Sequence, residues 1–141
     1  MSKKLLLVND RRGLARTIGA AAPELGLDVV RLGDATDAVT RSAEIAPDVV
    51  ILDQAIPADA MIELLRGILQ AAPGARILIA VRSDDPETRV AEGMARFHGG
   101  ERLTFLRRPF TRRRIIAVLQ SILGSVATFV LAAIAARRGF A

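Results

Sequence analysis

The sequence predicts an α/β fold: a five-stranded parallel sheet with helices on both faces. Three observations carry this. Short apolar runs alternate with segments of helical periodicity five times along the 141 residues. The runs are apolar throughout rather than alternating with polar residues, as strands buried on both faces are. The length suits one domain and leaves little room for a second core.

Leu5-Leu6-Leu7-Val8 is the first strand and ends at Asn9-Asp10. Leu14, Ile18, Ala21 and Ala22 recur at helical spacing, until Pro23 and Gly26 are expected to break the segment. Val29, Val30 and Leu32 give a second strand. Ala35 to Ile45 is a weaker helix, capped by Asp34 and stopped before Pro47. Val49-Val50-Ile51-Leu52 repeats the first pattern and ends in Asp53. Met61, Leu64, Leu65, Ile68 and Leu69 mark an amphipathic helix closed by Pro73-Gly74. Ile77 to Val81 is the fourth strand, and Pro86 to Phe97 the fourth helix with proline in its first turn. Leu103 to Leu106 is the fifth strand, and a long helix starts at Arg112. Residues 1–123 form the domain and residues 124–141 a helical extension.

Composition removes several classes of function. Hydrophobic residues make up 51% and charged residues 25%, which excludes a disordered acidic chain or a fibrous repeat. With no cysteine there are no disulfides, thiolate metal sites or cysteine nucleophiles. One histidine, His98, is too few for a multi-histidine metal site; it is expected as a surface residue in the Phe97-His98-Gly99-Gly100 loop. The absence of Tyr and Trp argues against base-stacking surfaces. Only four apolar residues follow the N-terminal lysines before Asn9, too few for a signal peptide, so a cytoplasmic protein is expected.

Ligands of open α/β sheets bind at the carboxyl ends of the strands. That edge gathers Asn9, Asp10, Asp53, Ala80 and Arg108. Carboxylates brought together repel unless a cation neutralises them, so Asp10 and Asp53 make an oxygen-rich site suited to Mg²⁺. A carboxylate beside such a cation can also attack phosphorus, with Arg108 pairing with Asp53 or with a phosphoryl group.

In the segments LLLVND (5–10), VVILDQAIP (49–57) and FLRRPF (105–110), over roughly residues 3–123, the chain resembles the receiver domain of two-component response regulators. The resemblance implies the flavodoxin-like (βα)5 fold with strand order 2-1-3-4-5. It implies an atypical single-domain receiver in a phosphorelay, not an enzyme in its own right. Asp53 would be the phosphoacceptor, fed by a histidine kinase or phosphotransfer protein, and Mg²⁺ would sit at Asp10 and Asp53, with Asn9 acting through water. The departures are specific. Asn9 stands where the family has an acid, Arg108 where it has lysine, and Ala80 where it has the Ser or Thr that follows the phosphoryl group. Alanine has no hydroxyl to donate. Phe105 keeps the aromatic switch position. The resemblance thus leaves phosphotransfer chemically possible and implies that conventional switching is impaired.

Charge is divided unevenly. Residues 1–101 carry 12 Lys/Arg and 15 Asp/Glu, whereas residues 102–141 carry eight Arg and no acid. Arg107, Arg112, Arg113 and Arg114, with Arg108, form a candidate surface for an anion or an acidic partner. Some receiver-like proteins bind cyclic dinucleotides through such segments, so the alternative function is a phosphorylation-independent module for a protein or an anionic nucleotide. No helix-turn-helix unit is visible, and sequence-specific DNA binding is not expected. Ile115 to Ala136 is uncharged for 22 residues, but the fold needs its first half against the sheet, so a membrane span is not expected. Val126, Phe129, Val130, Ala133 and Ile134 continue an apolar stripe that needs cover. A homodimer through the last helix is expected, ahead of binding to a membrane surface.

Overall fold

The computed structural model describes residues 3–8, 14–53, 56–81 and 85–123. The order is β1 (Lys3–Val8), α1 (Leu14–Leu25), β2 (Leu27–Leu32), a 3-10 turn (Ala35–Asp37), α2 (Ala38–Ile45), β3 (Val49–Asp53), α3 (Ala58–Ala71) and β4 (Arg76–Val81). Then follow α4 (Pro86–Gly99), a second 3-10 turn (Gly100–Arg102), β5 (Leu103–Arg107) and α5 (112–123). The five strands are parallel, as the apolar runs predict, and stand in the order β2-β1-β3-β4-β5 that the resemblance implies.

The apolar runs explain the layering. Alternate residues of each central strand face opposite ways, so one run supplies two cores. Leu6, Val8, Val50, Leu52, Ile77 and Ile79 pack under α2, α3 and α4 with Leu65 and Ile68. Leu5, Leu7, Ile51, Leu78 and Leu106 pack on the other face with Ile18 of α1 and Ile115, Leu119 and Ile122 of α5. Each such side chain contributes about 1.5–3 kcal/mol when fully buried. The two layers therefore fix the sheet against helices on both sides.

Several boundaries differ from the expected ones for local reasons. Helix α1 runs through Pro23, because a proline in the last turn forfeits only one helical hydrogen bond. It ends at Gly26, whose φ of 62° suits glycine. Strand β2 starts early, at Leu27, where pairing with Lys3 begins. The expected second helix opens as a 3-10 turn: Asp34 caps it by accepting from the Thr36 amide at 2.9 Å, and the α-helix proper begins at Ala38. Strand β5 includes Arg107. Asp85 caps α4 by accepting from the Thr88 amide at 2.8 Å, and Pro86 occupies its first turn. This helix continues to Gly99, so His98 is an exposed residue of its last turn rather than of a loop.

Helix α4 is seated unusually. It turns the small residues Thr88, Ala95 and Gly99 inward, while Val90, Met94 and Phe97 are 65%, 51% and 85% exposed. These three follow i, i+4, i+7 spacing and make one outward stripe.

Candidate functional site at the carboxyl edge of the sheet

Strand β3 carries Asp53 to the carboxyl edge as its last residue. It is 1% exposed at the end of four fully buried apolar residues. A buried carboxylate is stable only where hydrogen bonds or charges compensate for lost water. The chain turns immediately: the Ile56 amide donates to the Asp53 carbonyl at 3.2 Å, and Pro57 precedes the first turn of α3. Proline there presets the backbone for helix entry and needs no hydrogen-bond partner for its nitrogen.

Ala80 of β4 lies directly opposite Asp53 in the parallel pairing, and Leu106 of β5 lies opposite Ala80. Ala80 is fully buried on the face covered by α1 and α5, and the strand alternation puts Asp53 on that face with it. Phe105 is one residue out of phase, opposite Ile79, and packs on the face covered by α2, α3 and α4. The two predicted switch positions thus lie on opposite faces of the sheet. The Arg96 guanidinium of α4 covers the Phe105 ring, 4.7 Å from its centroid, a cation–π arrangement.

Val8 pairs with Leu52, one residue before Asp53. The next two residues in the chain are Asn9 and Asp10; these predicted metal-site residues lie outside the described residues, so of that set only Asp53 is placed. Among the described residues no group of three or more carboxylates or histidines forms a metal site.

The arginine cluster is split. Arg107 pairs with Glu92 of α4, on one face of the sheet, and Arg112 pairs with Glu24 of α1, on the other. Arg108 follows β5 and is exposed, as are Arg113 and Arg114 in the first turn of α5. The Arg114 amide donates to Thr111 Oγ1 at 3.2 Å, which caps that helix. Glu92, Arg96 and Glu24 carried no local signal in the sequence. Glu24 stands 88 residues from its partner, and Glu92 stands 15 from its own.

No protein-family model matches the chain. Over 85 residues, 60% of this chain, it is 32% identical to the DNA-binding response regulator MtrA of Mycobacterium tuberculosis and of Mycobacterium leprae. The chain spans 37% of the length of these relatives. Among solved structures it resembles the chemotaxis protein CheY4 of Vibrio cholerae, with a TM-score of 0.68 at 20% identity, covering 87% of this chain and 100% of that one. A response regulator from Thermotoga maritima gives 0.71 at 16% identity over 88% and 99% of the two chains. A two-component response regulator of the LuxR family from an Aurantimonas species gives 0.68 at 23% identity over 89% and 87%. The structural likenesses define the fold as that of receiver domains. The sequence match is to response regulators, over the part of those relatives that this chain spans.

Proposed function

We propose that this domain works in phosphorelay signalling, with Asp53 as phosphoacceptor. The observation behind this is a carboxylate that ends the central strand at the carboxyl edge of the sheet. In the proposed step an Asp53 carboxylate oxygen attacks the phosphorus of a phosphohistidine on a kinase or phosphotransfer protein. The P–N bond breaks and an aspartyl phosphate forms. Asp10 and Asp53, with Asn9 through water, would hold Mg²⁺, which neutralises charge on the transferring group. Arg108 would pair with that group. Hydrolysis of its own acyl phosphate is the only turnover proposed, and output is by protein contact. Intact mass after treatment with acetyl phosphate and Mg²⁺ tests this. One added phosphoryl group is expected, absent in Asp53→Asn and reduced without Mg²⁺; no added mass rejects the proposal.

Self-association through the last helix belongs to the same proposal. Its apolar stripe beyond Leu123 lies outside the described residues. Among the described residues no helix is long and apolar enough to cross a membrane. Light scattering of the full chain and of a chain ending at Leu123 tests it: a monomeric full chain rejects it.

A second reading, phosphorylation-independent binding, is favoured by Ala80 opposite Asp53. For this reading Arg108, Arg113 and Arg114 are the exposed cations, since Arg107 and Arg112 already pair with Glu92 and Glu24. Partner capture that is equal for wild type and Asp53→Asn would support it over the first.

A further inference from the structure

Helix α4 leaves an apolar face uncovered. Val90, Met94 and Phe97 are the exposed large apolar side chains among the described residues. The helix is acidic where it starts and basic where it ends: Asp85 caps it, Glu87 is in its first turn, and Arg96 and His98 are in its last. Residues 82–87 hold one Arg and three acids, and Arg89 falls about 100° round the helix from Val90.

The sequence beyond Leu123, outside the described residues, carries a matching pattern. Val126, Phe129, Val130 and Ala133 share one face at helical spacing, Arg137 continues it, and residues 124–138 include no acid. Phe97 and Glu87 stand ten positions apart, and Val126 and Arg137 eleven. At about 1.5 Å per helical residue, both spans are about 15–17 Å. Laid antiparallel, the two apolar stripes coincide and Arg137 meets Glu87. Laid parallel, Arg137 would instead approach Arg96 and His98, charges of its own sign or neutral.

We propose that residues 126–138 of a second copy, as a helix, dock antiparallel on the outward face of α4. This contact rests on the self-association proposed above and supplies its surface. In a two-fold dimer each copy gives one tail and one α4, so the contact is made twice. It covers both kinds of stripe, whereas packing tail on tail leaves Val90, Met94 and Phe97 in water. A tail is badly placed to cover its own α4. Leu123 packs with α5 on the face of the sheet opposite to α4. Gly124 and Ser125 together reach at most about 7 Å, less than the roughly 8–10 Å between the axes of two packed helices.

Sedimentation of the full chain tests the surface. Phe97→Glu and Met94→Glu stand at exposed positions, where the fold tolerates substitution. Each should raise the dimer dissociation constant roughly ten-fold or more with an unchanged circular dichroism spectrum. The chain has no cysteine, so introduced thiols report the direction of packing. Full chains carrying Glu87→Cys, mixed with tagged chains carrying Arg137→Cys, should form a mixed disulfide under mild oxidation. Glu101→Cys in place of Glu87→Cys should form roughly ten-fold less, because it stands at the far end of α4. A dimer that both α4 variants leave intact overturns this contact while self-association stands. Stronger linkage at Glu101 also overturns it, as does linkage only within one chain when both cysteines are placed there. A monomeric wild-type chain overturns both proposals, and one that then sediments with phosphatidylglycerol vesicles assigns the tail to a lipid surface.

Discussion

The Arg102 Nε donates to the Ala75 carbonyl at 2.9 Å, and the same guanidinium donates to the carbonyls of Leu69, at 3.1 Å, and Ala72. One side chain from the turn before β5 thereby closes the C-terminal end of α3, where helix carbonyls lack partners and the dipole is negative. Burial, with Arg76 nearby, pulls the guanidinium below its ordinary pKa, but arginine stays protonated. Arg102→Ala should lower unfolding stability by about 2 kcal/mol, read by urea denaturation. Arg102→Lys should recover less than half of that, since an ammonium cannot reproduce the planar fork.

Helices α2 and α3 meet at Val39 and Gly67. A Cβ on Gly67 would lie 2.7 Å from Val39 Cγ2. Valine is stiff at χ1 and cannot swing aside at little cost. Gly67→Ala should therefore destabilise by about 1–2 kcal/mol, although alanine is the better helix former. Combining it with Val39→Ala should give a smaller loss than the sum of the two single changes. Additive losses in that double-mutant cycle would show that the contact does not limit the packing.

Ala46 ends α2 in the left-handed region, with φ 51° and its amide donating to the Ser42 carbonyl at 3.0 Å. Glycine adopts that conformation without steric cost. Ala46→Gly should stabilise the domain by about 1 kcal/mol, raising the thermal midpoint by several degrees. An unchanged or lowered midpoint would mean the strain at this cap is negligible.

Asp34 contributes a pH-dependent term. The Thr36 amide, and then the Thr36 hydroxyl, hold its carboxyl below the usual range. A lowered folded-state pKa adds stability above the unfolded value and loses it as pH falls through the folded one. The stability difference between wild type and Asp34→Ala should be constant near neutrality and shrink below about pH 4. A difference that stays constant to pH 2 would remove the carboxylate from the account.

Ala80 and Phe105 bear on switching. The residue opposite Asp53 has no hydroxyl, and Phe105 packs on the other face of the sheet under Arg96. Beryllofluoride, as a phosphoryl mimic, should shift amides around Asp53 and leave Phe105 nearly unmoved. Ala80→Thr should enlarge the Phe105 response by supplying the missing donor. Large wild-type shifts confined to β4 and β5 would contradict this.

The sequence by itself determined the sheet. A strand buried on both faces is a local property, four to six apolar residues in a row, and needs no partner to be recognised. Leu5–Val8, Val49–Leu52 and Ile77–Val81 therefore located the central strands, and Asp53 at the end of one run located the candidate site. The ends of elements were less legible. Pro23 continues a helix because its position within the last turn matters more than its identity, and β2 gains Leu27 from pairing with Lys3. What only the tertiary structure decided depends on residues far apart in the chain. Arg102 reaches carbonyls 27 to 33 residues away, and Arg107 and Arg112 turn to opposite faces of the sheet to meet Glu92 and Glu24. Helix α4 shows the limit most clearly. Its periodicity marks an apolar stripe, yet which side of a helix meets the sheet is chosen by the fit of all its neighbours at once. Here that fit turned Val90, Met94 and Phe97 outward and left a cleft of about 250 Å³ beneath.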